Sequence, residues 1–159
     1  FVGFVESNLP IVERARAYRQ ACERYDLECM PPLASERADL PAGRAPVRRL
    51  LASGPAPDAI MCGNDLLAAG AIGELREAGL SCPDDVLLTG YDDAAPIAEI
   101  LGLTTVRQPL SDLGREAARL LRQASEAPRT VMLTPAVIVR STSAHDLNGS
   151  GGELLMGAR

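Results

Sequence analysis

The sequence predicts an α/β fold built on a doubly wound parallel sheet. Two observations lead there. Residues 58–93 read strand, helix, strand: the apolar runs Ala59–Cys62 and Val86–Thr89 flank a helical pattern with Leu67, Ala71, Leu75 and Ala78 on one face. Both runs are apolar throughout, the pattern of parallel strands buried on both faces. Each run also stops at short polar groups, Asn64-Asp65 after the first and Asp92-Asp93 after the second. In open parallel sheets ligands bind outside the carboxyl ends of the strands.

The remaining elements follow in order. Phe1–Val5 is a predicted strand that ends at Glu6-Ser7-Asn8. Asn8 or Ser7 caps the next helix and Pro10 suits its first turn. That helix runs to about Tyr25, with Val12, Ala15, Ala17 or Tyr18, and Cys22 as its apolar stripe. Leu27–Met30 is predicted as a short strand. Pro31 opens a loop without periodicity to about Gly43, and Ala45–Ser53 is a short helix. Gly79 ends the central helix at the position that favours a left-handed residue. Beyond Asp93, Ala94–Leu101 is a helical turn or short helix and Thr104–Arg107 a strand. Ser111 is placed to cap a helix over 112–124 whose buried face is Leu113, Ala117, Leu120, Leu121 and Ala124. Thr130–Leu133 and Ala136–Val139 are further β-type runs. From His145 the chain is rich in Gly and Ser and is expected to be disordered.

Composition narrows the function. The 159 residues favour one domain, 47% of them are hydrophobic, and the net charge is −5. That balance argues against direct nucleic-acid binding by this segment, which needs a clustered basic face. The cysteines at 22, 29, 62 and 82 have no C-x₂-C spacing and the single histidine lies in the polar tail, so no metal site is expected. Unpaired thiols in a reducing compartment are the simpler reading. No stretch reaches the ~20 apolar residues of a membrane span. The chain opens directly in an apolar run at Phe1, as a piece of something longer would.

In a doubly wound sheet, Glu6-Ser7-Asn8, Asn64-Asp65 and Asp92-Asp93 face one crevice. Arg14 lies almost two turns into the first helix, and helical side chains lean toward the N-terminus, so its guanidinium reaches back to the same mouth. Carboxylate, amide and guanidinium around one cleft suit a neutral, multiply hydroxylated ligand. Each residue also has a structural use: Asn64 or Asp65 as a helix cap, Asp92-Asp93 as a turn, Arg14 and Glu6 as solvated surface charges. The sequence has no G-x-S-x-G, Walker A, G-x-G-x-x-G or H-E-x-x-H motif and no nucleophile beside a base, so no enzymatic activity and no cofactor are expected.

Four segments carry a family resemblance: AIMCGNDLLAAGAI, EAGLSCPDDV, TGYDD and LTTVRQPLSDLG. In this order and spacing they resemble the effector-binding domain of the LacI/GalR family of bacterial transcriptional regulators, from Phe1 to about Thr142. The resemblance implies a periplasmic-binding-protein-like type I fold with one lobe nearly complete and the other partial. Residues 1–103 would form the C-terminal lobe, 104–143 a crossover segment with a helix of the other lobe and returning strands, and 144–159 a tail. It implies an effector pocket bordered by Arg14, Asn64, Asp92 and Gln108. The small-aromatic pair after Arg14 is Ala17-Tyr18 here, where the family usually has Gly first. Glu6–Pro10 stands where the family has a Gly- and Ser-rich turn.

The implied protein is a cytoplasmic, homodimeric repressor that senses a small polar metabolite, a sugar or a relative of one, and contacts DNA through a headpiece N-terminal to this segment. A periplasmic sugar-binding protein of a transport system is the alternative, since shorter versions of the N-D and G-Y-D motifs occur there too.

Overall fold

The computed structural model describes residues 1–4, 8–123, 129–144 and 153–155, with residue 4 and residues 153–155 described by their backbone alone. Elements alternate along the chain: β1 (Val2–Phe4), α1 (Leu9–Arg24), β2 (Leu33–Ala34), α2 (Leu40–Ser53), β3 (Ala59–Met61), α3 (Asp65–Glu77), β4 (Leu87–Thr89), α4 (Ile97–Ile100), β5 (Thr105–Arg107), α5 (Leu110–Arg122), β6 (Ala136–Ile138) and β7 (Glu153–Leu155). β1 pairs with β2 and β3 with β4, all parallel. Parallel bridges Val2↔Cys62 and Thr89↔Thr104 join these pairs to each other and to the start of β5. The resulting spatial order is β2-β1-β3-β4-β5. This is a doubly wound order, with its switch point between β1 and β3. β6 and β7 extend β5 as an antiparallel sheet.

The core lies mainly on one face of this sheet. Val2, Ile60, Cys62, Val86 and Leu88 pack there against Val47 of α2, Leu67, Ala71 and Leu75 of α3, and Ala98 of α4. Phe1, one residue from Val2, belongs instead to a smaller cluster with Ile11, Ala15 and Tyr18 of α1. Neighbouring residues of an extended chain point to opposite faces, so α1 covers the other side. α2 and α3 approach through glycine. A Cβ on Gly43 would lie 2.1 Å from the Leu67 carbonyl oxygen, and one on Gly70 would lie 2.1 Å from that of Leu40.

Several expectations need correction. β3 and β4 are not buried on both faces. Ile60 and Leu88 are enclosed, while Met61 and Leu87 are 39% and 37% exposed, because α1 packs near β1 and leaves this part of the second face open. Leu27–Met30 is not a strand. Asp26 takes a left-handed φ of 53° and the Leu27 N–H closes back onto the Cys22 carbonyl, while Leu33 takes the edge of β1 through its bond to Phe1. α2 begins at Leu40, inside the expected loop, capped by Asp39 through the Ala42 N–H. Pro46 inside it withdraws a donor from the Ala42 carbonyl, and the Ser35 hydroxyl supplies one at 2.8 Å.

Ser111 does not cap α5; the helix starts at Leu110 after Pro109 with no side-chain cap. The apolar face of α5 has no buried residue, as expected if most of the partners of this face lie in the part of the other lobe that the resemblance places outside this segment. Thr130–Leu133 is not a strand, and Met132 stands 86% exposed. Residues 153–155 fall in the stretch expected to be disordered, yet they pair with the open edge of β6. Glu6, Ser7, Ala124 and His145 lie outside the described residues.

Two expected helix ends match. Asn8 caps α1 through the Ile11 N–H, and Gly79 after α3 has φ 78°.

Candidate functional site

The site sits at the carboxyl ends of β3 and β4, beside the switch point. β3 delivers Gly63, Asn64 and Asp65. Asn64 caps α3, its Oδ1 accepting from the Leu67 N–H at 2.9 Å, and its amide donates to the Ala38 carbonyl at 3.3 Å. Asp65 is buried and turned inward. Its Oδ1 accepts from the Thr105 hydroxyl at 2.6 Å and its Oδ2 from the Ala94 N–H at 2.7 Å. Burial pushes its carboxyl above the usual range; the hydrogen bonds from Thr105 and Ala94 oppose that, and nearby Asp92 and Asp93 add to it. Gly90 makes room for this carboxylate, because a Cβ there would sit 2.3 Å from Asp65 Oδ1.

β4 delivers Tyr91, Asp92 and Asp93. The two aspartates have φ of 118° and 53°, both in the region that favours glycine. Hydrogen bonds to β5 hold this unusual turn: the Asp92 N–H donates to the Val106 carbonyl at 3.0 Å and the Asp93 N–H to the Thr105 hydroxyl at 3.3 Å. The carboxylates then diverge. Asp92 Oδ1 accepts from Gln108 Nε2 at 2.7 Å. Asp93 accepts from Arg107 Nε at 2.7 Å and from Arg140 Nη2 at 2.8 Å. Burial would raise the Asp93 carboxyl, but Arg107 and Arg140 outweigh it and hold the group below the usual range.

Arg14 arrives from α1. Its Nη1 donates to the Gly63 carbonyl at 2.7 Å, and its guanidinium carbon lies 3.6 Å from the centroid of the Tyr91 ring. That is a close cation–π stack.

The four sequence-predicted residues are thus brought to one end of the sheet. Arg14, Tyr91, Asp92 and Gln108 form a continuous chain of contacts, and Asn64 follows the glycine that Arg14 grips. Asn64 has both of its polar atoms engaged in structure. Sequence reasoning gave no role to Tyr91, although it lies inside the G-Y-D-D segment. It also missed Arg107 and Arg140, whose partner Asp93 becomes visible only when β4, β5 and β6 are assembled. Among the described residues there is no cluster of His, Cys, Asp and Glu that could hold a metal ion.

The model of the periplasmic binding protein-like domain matches residues 1–143. The chain belongs to this family. Within the periplasmic binding protein-like domains, its relatives are regulators. The chain is 28% identical over 151 residues to the ribose operon repressor of Haemophilus influenzae, covering 89% of this chain and 45% of that protein. It is 34% identical over 137 residues to the HTH-type transcriptional regulator DegA of Bacillus subtilis, covering 82% and 40%. A solved regulatory protein of the LacI family from Chloroflexus aggregans superposes with a TM-score of 0.79 at 29% identity, covering 91% of this chain and 54% of that one. The resemblance to the LacI/GalR effector-binding domain therefore holds in sequence and in fold. The chain spans less than half the length of these curated relatives. Among the described residues, no helix is long and apolar enough to cross a membrane.

Proposed function

We propose that this chain is the C-terminal part of the effector-binding region of a DNA-binding transcriptional regulator of the repressor type. A small polar metabolite, a sugar or a close relative, binds at the carboxyl ends of β3 and β4, bordered by Arg14, Asn64, Asp92 and Gln108. The observation that carries this reading is the chain of contacts Arg14–Tyr91–Asp92–Gln108 at the switch point of the sheet. It presents a guanidinium, an aromatic ring, a carboxylate and an amide within one small region, the donor and acceptor set that vicinal hydroxyls require. Names of the relatives favour a regulator over a transport protein.

Residues 1–103 then form most of one lobe, and 104–143 the crossover segment, a helix of the other lobe and the returning strands. Asp92 and Gln108 link these two parts directly. Effector binding at that link shifts the balance between two lobe orientations, which requires different affinity in the two states. The regulator acts as a cytoplasmic homodimer, contacts DNA through a headpiece outside this chain, and catalyses no reaction.

Titration calorimetry of the full-length protein against D-ribose, other aldoses, nucleosides and purine bases tests the reading. One of these classes is expected to bind, and Asp92→Ala to weaken it about tenfold or more, the loss of a charge-assisted hydrogen bond. Unchanged affinity in that variant overturns the pocket assignment.

A further inference from the structure

Two cysteines at the opposite end of α1 from Arg14 have no part in the effector site. Cys22 lies in the last turns of the helix and is 5% exposed, whereas Cys29 is exposed; both are free thiols. Seven positions separate them in the sequence, and the helix end brings them back together. Asp26 takes a left-handed φ of 53° and the Leu27 N–H reaches back five residues to the Cys22 carbonyl at 2.9 Å. That is the longer bond of a Schellman-type stop, which folds the departing chain over the last helical turn. The fold-back is pinned further along, where the Tyr18 hydroxyl donates to the Met30 carbonyl at 3.2 Å. Tyr18 and Cys22 stand one turn apart on the same face of α1. With residue 30 fixed over Tyr18, residue 29 is set beside Cys22. The Cys29 thiol donates to that same Met30 carbonyl at 3.8 Å, so it shares an acceptor with the Tyr18 hydroxyl, and it adds to burial in raising both the Cys22 thiol and the Tyr18 hydroxyl.

We propose that Cys22 and Cys29 form a reversible oxidative modification site, a dithiol that peroxide converts to an intrachain disulfide. Their unequal exposure assigns the roles. Cys29 meets the oxidant first: its thiolate attacks the peroxide O–O bond, gains one oxygen as a sulfenic acid, and releases hydroxide, which takes up a proton as water. The Cys22 sulfur then attacks the Cys29 sulfur, the S–O bond breaks, and the second water leaves with the Cys22 proton. Two thiols and one hydrogen peroxide become one disulfide and two waters; sulfur is oxidised and the peroxide oxygens are reduced.

Burial, and then Cys29 beside it, raises the Cys22 thiol, which suits a resolving rather than a first-attacking sulfur. Cys62 makes the contrast. It is 2% exposed and burial pushes it up to about 12, so it has neither the access nor the thiolate character that oxidation needs. The bond would staple the 26–30 segment to α1, along one wall of a hollow of about 600 Å³ lined in part by Tyr18, Cys22, Leu27 and Met30. This inference is independent of the effector reading.

Tryptic mapping of the full-length protein tests it. Reduced protein is treated with hydrogen peroxide, alkylated and digested without reductant. Cleavage after Arg19, Arg24 and Arg37 places the two cysteines in peptides 20–24 and 25–37. These are expected to appear joined after peroxide, to separate with dithiothreitol, and never to join in Cys29→Ser, a change at an exposed position. Phenylarsine oxide, which bridges two close thiols, is expected to protect both cysteines of the reduced protein from alkylation and to lose that protection in Cys29→Ser. Sulfinic acid on Cys29 with Cys22 still alkylated, Cys29 joined to a different cysteine, or no arsenical protection overturns the proposal.

Discussion

Two helices of equal length, α3 and α5, have opposite fates. Each has 13 residues. α3 buries eight of them, including the polar Asp65 and Glu74, and α5 buries none. On pattern alone the order would be reversed. α5 has the sharper division into an apolar and a charged side, with Leu113, Leu120 and Leu121 opposed to Asp112, Arg115, Glu116, Arg119 and Arg122. α3 is apolar over most of its surface and carries its charges near its ends. An amphipathic stripe records a helix that expects one partner; an apolar helix records one enclosed by several. Here α3 is enclosed by α2, β4 and α4, whereas the stripe of α5 meets no comparable neighbour among the described residues.

Substitutions can break or sharpen this contrast. The largest effect is expected in α3: Leu67→Ala, at a side chain with no exposure, should destabilise by roughly 2–5 kcal/mol in urea unfolding. Leu121→Ala in α5, 84% exposed, should fall within about 0.5 kcal/mol. Equal losses at the two leucines would erase the distinction.

Gly70→Ala probes the α2–α3 approach, with a loss of about 1–3 kcal/mol expected from the collision with the Leu40 carbonyl. A neutral result would mean that the helices part easily.

Asp93 links β4 to Arg107 and Arg140 and is held below the ordinary carboxyl range. A depressed folded value contributes stability that is complete above the unfolded value of about 3.9 and is lost as pH falls through the lower folded value. Asp93→Asn should cost about 1–3 kcal/mol at neutral pH and flatten the acid limb of the stability profile. An unchanged limb would assign the acid sensitivity elsewhere. The smallest effect is expected at the start of α3, where Asn64→Ala removes the cap to Leu67 and should cost about 1 kcal/mol by thermal unfolding.

Local grammar was readable in the chain. Asn8 and Asn64 were legible as caps, Gly79 as a helix stop, and the strand–helix–strand unit as the centre of a parallel sheet. The failures share a cause, since each depended on a distant partner. Leu27–Met30 has strand composition, but the edge of β1 belongs to Leu33. The first residues of α2 fell inside the loop expected up to Gly43. Yet Pro41 sits in its first turn, Gly43 lets α3 approach, and Ser35 serves the carbonyl that Pro46 leaves.

The candidate site divides in the same way. Arg14, Asn64, Asp92 and Gln108 stood out because polar groups at apolar strand ends are conspicuous and a family pattern runs through them. Tyr91 and the Asp93–Arg107–Arg140 cluster did not stand out. A half-buried tyrosine after a strand and three charges scattered over 93–140 acquire meaning only from their neighbours.

The sequence by itself determined the kind of fold, the end of the sheet where Arg14, Asn64, Asp92 and Gln108 gather, and the family, because hydrophobic period, caps and short motifs are properties of contiguous residues. Only the tertiary structure decided which faces are covered, which aspartate meets glutamine and which meets arginine, and where Cys29 comes to rest. Those outcomes depend on groups separated by many residues and brought within hydrogen-bond reach by packing, a distance that no local pattern encodes.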